Sequence, residues 1–467
     1  MMITRRPLLM GAAAAGLMAG AAHAQSASDF MGEWNGALNM GSQTLRLRLV
    51  VAEGPTSTLY SVDQGNSAIP VGTTTIAGGR LTLDIPVIRA SFTGELRNGR
   101  IEGQFTQGGT LLLVFQRGEA TAGSTEALTQ ARLEALRAGI NTPAMAAAAT
   151  KIGGRSIAFA TGLRAIGHEQ RVTTSDKWHL GSITKSMTST LVARLAEAGR
   201  ISWTDTVGGV LGGAIPDMRA EYRDVTFRHL CSHRAGLQGN IDMADLLRFS
   251  RASDDARTER VAYARLGLLQ PPQGPKETTF MYSNTGYVIA GAMLEAKMGA
   301  PWEALIQEYV FEPLGMASAG HGAPGTPGAW DQPCGHAPDV TGAMAPFPPG
   351  DGINDNPVAL GPAGRVHANF EDVQKYLMAH CEMRAGFLNR ESWQTLHTAP
   401  FGGPYAMGFS RQGNALWHNG SNTLWYAEVM FDQSRGIVAA AAANDGRAGD
   451  LRAPVGSALV EAAQAVV

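Results

Sequence analysis

The hydrophobic rhythm of this chain changes near residue 119, and that change requires at least two separately folded parts. From Gly32 to about Gly118 apolar residues recur with period two: Leu45, Leu47 and Leu49 alternate with Arg46 and Arg48, and Leu81, Leu83 and Ile85 with Thr82 and Asp84. Successive side chains of a strand point to opposite faces, so this pattern predicts half-buried antiparallel strands. Asn98-Gly99, set between the strand-like runs 91–96 and 101–105, predicts a two-residue hairpin whose turn positions need positive φ. Residues 25–118 are therefore expected to form a small all-β domain, a sandwich or a barrel, and no cluster of titratable residues stands out in it. The run Ala120-Thr121-Ala122-Gly123-Ser124 reads as part of a linker over 119–124, and 125–467 as a second domain. There a strand-like stretch at 156–160 precedes a long helical tract, and strand-like runs return at 425–431 and 436–441. Helices bracketed by strands in this order predict an α+β domain, a sheet layered with helices.

Composition narrows the classes. The 467 residues carry a formal charge of −2, with 44% hydrophobic and 17% charged residues. Such a balance excludes global disorder and leaves no electrostatic footprint for nucleic acid. Residues 1–24 read as a secretory signal peptide: Arg5 and Arg6, an apolar stretch over 8–22, and Ala22-His23-Ala24 as the cleavage site. Thr4-Arg5-Arg6-Pro7-Leu8-Leu9 also resembles a twin-arginine signal. Either route, general secretory or twin-arginine, predicts a periplasmic or secreted protein; an uncleaved anchor is the alternative, and export is common to both. No later segment is long and apolar enough to span a membrane. The cysteines, Cys231, Cys334 and Cys381, show no zinc-site spacing. Pairing of Cys334 with Cys381 stays open, and Cys231 is expected to be a small buried hydrophobe. A Gly- and Pro-rich stretch over 317–364 is expected to wall a site and to decide substrate choice, because long loops in compact domains are usually functional.

The chain has only six lysines, and Lys185 alone has a serine three positions before it, Ser182. One helical turn puts both side chains on one face. Ile183, Met187, Leu191 and Leu195 recur every four residues and Gly199 supplies a stop, so a helix is expected to begin near Ser182. A serine there sits where free N–H groups and the helix dipole favour developing negative charge. A buried lysine beside it either acts as a base or, if charged, depresses a neighbour's pKa. Tyr282-Ser283-Asn284 opens a second helical tract, and His418-Asn419-Gly420-Ser421 precedes a strand.

Taken together, Ser182-x-x-Lys185, Tyr282-x-Asn284 and His418-x-Gly420, in that order, resemble the penicillin-recognising serine hydrolases: class C β-lactamases, D-Ala-D-Ala carboxypeptidases and family VIII-type esterases. The resemblance extends over about residues 125–465. It includes Leu230-Cys231-Ser232-His233-Arg234-Ala235-Gly236-Leu237, the tract 282–291, and Phe311-Glu312-Pro313-Leu314-Gly315-Met316. It implies a β-lactamase/transpeptidase-like domain, an antiparallel sheet flanked by helices plus a helical subdomain. The preceding β segment is similar to a module found in front of bacterial secreted hydrolases.

Ser182 is then the expected nucleophile of an acyl-enzyme mechanism. A charged Lys185 is expected to lower the pKa of Tyr282 so that the phenol accepts the serine proton. Asn284 is expected to orient Lys185 or a substrate amide, and backbone N–H groups of Ser182 and Ser421 to hold the oxyanion beside Gly420. His418 stands where the family's β-lactamases usually carry a lysine. A mostly neutral histidine is poorly suited to hold a penicillin carboxylate. Expected substrates are small esters or amides first, D-amino-acid peptides or D-Ala-D-Ala second and β-lactams third, with no metal or other cofactor. A non-turnover penicillin-binding sensor is the rival. His233 is expected to cap a turn rather than touch substrate.

Overall fold

The computed structural model describes residues 26–39, 44–54, 56–61, 67–97, 99–107, 110–117, 127–251, 253–350, 354–412 and 414–467. The expected signal peptide and the linker at 119–124 lie outside the described residues. The chain divides into two compact units, one from most of the first 119 residues and one from residue 120 onward.

The first unit is a nine-stranded antiparallel meander. Its strands are Gly32–Asn39, Thr44–Ala52, Thr56–Ser61, Ser67–Pro70, Thr73–Ala77, Arg80–Ile85, Ala90–Arg97, Arg100–Thr106 and Thr110–Gln116. The first strand pairs with both the second and the last, and the two edge strands are Ser67–Pro70 and Thr73–Ala77. Those edges are consecutive in the chain, so the sheet curls back toward itself as a barrel with one open seam. The period-two residues do what their spacing predicts: Leu47, Leu49, Leu81, Leu83 and Ile85 are all buried, beside Trp34, Phe92 and Phe115. Arg97 pairs with Arg100 across the expected hairpin, and Gly99 has φ +75°.

The second unit is built on a six-stranded antiparallel sheet. Its order is Ser156–Gly162, Ala144–Lys151, Ile437–Ala443, Tyr426–Asp432, Ala415–Ser421, Ser410–Gln412. The Ala144–Lys151 strand, an almost unbroken alanine run, lies beside the equally alanine-rich Ile437–Ala443 strand. Both are buried on both faces. Met145, Ala147 and Ala149 pack with the C-terminal Ala448–Ala465 helix and with Leu133 of the Gln130–Gly139 helix. Ala144, Ala146 and Ala148 face the other core, where the Phe370–Glu382 helix and the larger helical part lie. Strands covered on both faces read as continuous apolar runs, which hides their period.

The helix expected to start near Ser182 is present. A 3₁₀ turn, Gly181–Ile183, leads into Thr184–Glu197. Ile183, Met187, Leu191 and Leu195 are fully buried, and Gly199 ends the tract at φ +67°. Ser283 caps the Asn284–Met298 helix by accepting the Gly286 N–H at 2.9 Å. The Gly/Pro-rich stretch is more ordered than its composition suggests. It contributes the strands Gly320–His321, Gly335–Pro338 and Met344–Phe347, then the short helix Gly361–Gly364. Its continuation, Val366–Asn369, pairs with Lys177–His179 just ahead of Ser182. All three cysteines are buried and free, so Cys334 and Cys381 do not pair. Among the described residues no helix is long and apolar enough to cross a membrane.

Candidate active site

Ser182, Lys185, Tyr282 and His418 come together from three separate elements. Lys185, fully buried, sits one turn after Ser182, and its Nζ donates to Ser182 Oγ at 2.9 Å and to the Ala363 carbonyl at 2.7 Å. Tyr282 reaches the same place from the segment before its helix. Its phenol end faces Ser182, and its ring centroid lies 5.0 Å from Lys185 Nζ. That segment is fastened along its length: the Met281 N–H donates to the His233 carbonyl, the Ser283 N–H to His233 Nδ1, and the Asn284 N–H to the Gly239 carbonyl. His233 does cap a turn, at φ +59°, and its ring packs 4.3 Å from that of Tyr282.

The end of the Ala415–Ser421 strand closes the other side. A Cβ on Gly420 would stand 2.0 Å from the Leu180 carbonyl oxygen and 2.6 Å from the Ser182 nitrogen, and one on Gly181 would stand 2.4 Å from the Ser421 nitrogen. The main chains of 420–421 and 180–182 therefore lie directly against each other, which only glycine permits at these positions. Strand alternation turns His418 toward this cleft and Asn419 to the opposite face. His418 Nδ1–H donates to the Asn419 carbonyl, and Nε2 accepts the Tyr405 hydroxyl at 3.1 Å. A carbonyl only accepts, so Nδ1 carries a proton, and in the neutral imidazole Nε2 is then the acceptor of the Tyr405 hydroxyl.

The electrostatics run opposite to one expectation. A charged Lys185 was to lower the Tyr282 pKa, but burial holds the Lys185 amine well below the usual lysine value. Burial also raises the Tyr282 phenol above its ordinary value, an effect that the neighbouring Ser182 hydroxyl only partly offsets. Enclosure, which penalises the charged form of either group, outweighs their mutual attraction here. Tyr282 as a residue is 37% exposed, so the enclosure concerns its phenol end while part of the ring stays open to the cleft. Burial, the largest cause, pushes His418 down to about 3, in line with a neutral histidine.

Asn284 makes no hydrogen bond to Lys185, one of the two partners expected for it. Its side-chain amide donates to Asn240 Oδ1 at 2.8 Å, and Lys185 has Ser182 and Ala363 as its partners instead. It is the first residue of its helix, and its backbone N–H and side chain both bond to the 239–240 turn. Sequence reasoning missed Tyr405, the donor to His418, and the Ala363 carbonyl that anchors Lys185. Neither carries a spacing signal, since one is an isolated aromatic and the other a backbone group.

A serine and a buried lysine on one helix turn, a tyrosine from a second element and a glycine-edged strand against a mixed helix–sheet body define an active-serine hydrolase. The beta-lactamase family model matches residues 129–464, and the chain belongs to that family of serine hydrolases. It is 30% identical over 255 residues to penicillin-binding protein 4 of Amycolatopsis lactamdurans, a match covering 54% of this chain and 63% of that relative, so the chain spans less than two thirds of the relative's length. Among solved structures, the D-amino acid amidase from Ochrobactrum anthropi SV3 aligns with TM-score 0.57 and 20% identity, covering 72% of this chain and 97% of that one. EstCE1, a hydrolase with promiscuous acyltransferase activity, aligns with TM-score 0.57 and 17% identity over 71% and 99%. At these identities the two likenesses establish the fold.

Proposed function

We propose that this protein is an exported hydrolase of small esters or amides that works through an acyl-enzyme on Ser182. The observation that carries the reading is the meeting of Ser182 Oγ with Lys185 Nζ at 2.9 Å, beneath a strand end whose backbone touches that of Ser182. A desolvated, neutral Lys185 accepts the Ser182 proton as Oγ attacks the carbonyl carbon. The backbone N–H groups of Ser182 and Ser421 hold the oxyanion. Tyr282, kept protonated by burial, gives its proton to the leaving oxygen or nitrogen. In deacylation water attacks the acyl carbon, the Tyr282 phenolate takes the water proton, and Ser182 departs with the proton held by Lys185. Each group ends as it began.

A neutral His418 where a cation would bind a carboxylate supports uncharged acyl donors over penicillins. The relatives' names leave peptidase and penicillin-binding activities as outcomes to be tested. Export rests on the motif in residues 1–24. The test is hydrolysis of p-nitrophenyl esters, D-alanyl amides and a cephalosporin by wild type and Ser182→Ala, followed by intact-mass spectrometry. The expected result is ester turnover that falls at least about a thousandfold in the variant. Equal turnover by both forms sinks the assignment of Ser182, and a persistent wild-type adduct without turnover favours a sensor.

A further inference from the structure

Behind the two touching backbones lies a buried carboxylate that no part of the chemistry above uses. Asp355 comes from the Gly/Pro-rich stretch, is 5% exposed, and connects to both sides of the cleft. On the nucleophile side, His179 Nε2 stands 3.0 Å from Asp355 Oδ1, with its N–H off the straight line to that oxygen. The other ring nitrogen of His179, Nδ1, accepts the Gly181 N–H at 3.1 Å, one residue before Ser182. On the strand side, Asn422 Nδ2 donates to the same carboxylate oxygen at 3.0 Å. Asn422 Oδ1 accepts the N–H groups of Leu424 and Trp425, both at 3.1 Å, and so shapes the turn directly after Ser421.

Arg365 Nε donates to Oδ2 at 3.1 Å and the Asn356 N–H to Oδ1 at 2.6 Å. His179 and Asn422 are 0% and 4% exposed. Burial by itself raises the Asp355 pKa, but His179, Arg365 and Asn422 outweigh it and hold the carboxyl below its usual value. An ionised, buried carboxylate hydrogen-bonded to Asn422, Arg365 and the Asn356 N–H, with His179 Nε2 3.0 Å away on the other element, is a rigid joint, since removing it would leave its hydrogen-bonded partners buried and unsatisfied.

We propose that Asp355 is a positioning residue which, through His179 and Asn422, sets the distance between the backbone N–H groups of Ser182 and Ser421. The inference rests on the acyl-enzyme reading above. The loop expected to choose substrates thus has a second task, to brace the oxyanion site from behind. Such bracing acts on the transition state, where charge develops on the carbonyl oxygen, and leaves ground-state binding largely alone.

The test compares the full-length wild type with Asp355→Ala, Asp355→Asn and Asn422→Ala on an oxygen ester and its thionoester, with Ser182→Ala as control and circular-dichroism melting for every form. Sulfur accepts hydrogen bonds poorly, so the rate preference for oxygen over sulfur reads the oxyanion donors directly. Expected for Asp355→Ala and Asn422→Ala is a fall in kcat of about tenfold to a hundredfold with KM within about twofold, and an oxygen-over-sulfur preference reduced about tenfold. Asp355→Asn, which keeps an acceptor for Asn422, is expected to fall between. If Asp355→Ala fails to fold, Asn422→Ala and Asp355→Asn carry the same comparison. Unchanged kcat, or a fall in kcat with the oxygen preference intact, overturns the proposal and makes Asp355 purely structural. Full activity in Ser182→Ala, by contrast, defeats the acyl-enzyme reading itself.

Discussion

Lys185 shows how one residue's surroundings decide its chemistry. An amine with no exposed surface, partnered by a hydroxyl and a carbonyl and by no carboxylate, loses the solvation that makes lysine a cation. The same enclosure keeps the Tyr282 phenol protonated, so one cause fits one group to the base role and the other to the proton-donor role of the proposed mechanism. Gly420 acts by having no side chain. Its absent Cβ leaves room for the Leu180 carbonyl and the Ser182 nitrogen at distances no real Cβ tolerates. Gly420→Ala is therefore expected to push the strand end off the nucleophile and to lower kcat on p-nitrophenyl acetate by about a hundredfold or more. Ser421→Ala, which keeps the backbone N–H, is expected to stay within about threefold of wild type. Steady-state kinetics on both variants checks the contrast. Equal losses would mean that the Ser421 hydroxyl, rather than its backbone, serves the site.

At the scale of elements, the Ala415–Ser421 strand works on two faces. His418 looks into the cleft, while Trp417 and Asn419 look back, where Trp417 Nε1 donates to Glu428 Oε2 at 2.9 Å, the Tyr426 hydroxyl to Glu428 Oε1 at 2.7 Å, and Asn419 Nδ2 to the Tyr426 hydroxyl at 3.2 Å. Burial pushes the Glu428 carboxyl up to about 7, against hydrogen bonds from Tyr426 and Trp417 that lower it. Because the folded pKa lies above the unfolded one, the associated stability is present below about pH 4.5 and is lost as pH rises through 7. At ~1.4 kcal/mol per unit this amounts to about 3 kcal/mol. Glu428→Gln is expected to remove that loss, exceeding wild type in urea midpoint at pH 6 and by a wider margin at pH 8. A constant difference between the proteins across that range would contradict it. Elements with a one-sided surface were legible in the sequence: the four-residue spacing from Ile183 to Leu195 and the alternation in the β unit both mark which side is buried. The Ala144–Lys151 strand was not, because burial on both faces erases the period and alanine has no preference for strand. The Ser182, Lys185, Tyr282 and His418 set could be read from motif order. Tyr405, the Ala363 carbonyl and the place of Asn284 could not, since they follow from how distant loops pack.

On the scale of the molecule, titratable groups are divided unequally between the two units. Of the eleven histidines, none falls between residues 26 and 119, and ten lie in the second unit. Burial pushes His321, His336, His367 and His397 each down to about 4 and His418 to about 3, and holds His233 and His380 well below the usual value. These imidazoles stay neutral in the folded unit at a pH where the unfolded chain has already bound protons. Folded pKa values below the unfolded 6.5 mean that stability is present above about pH 6.5 and is lost as pH falls toward 4. Each such histidine withdraws about 2 kcal/mol between pH 7 and 5. The five with values near 3 to 4 together withdraw an amount comparable to the whole stability of a typical domain. Glu428 acts in the opposite sense over the same interval and offsets about one histidine, which leaves the balance strongly toward unfolding. The β unit has its own core of leucine, phenylalanine and tryptophan, and no histidine enters that balance. Calorimetry at pH 7.5, 6 and 5 is therefore expected to resolve two transitions. The larger should move steeply downward and vanish by about pH 5, while the smaller holds its temperature. A single transition that shifts as one, or a large transition indifferent to acid, would show that the buried imidazoles do not govern the acid limit of this fold.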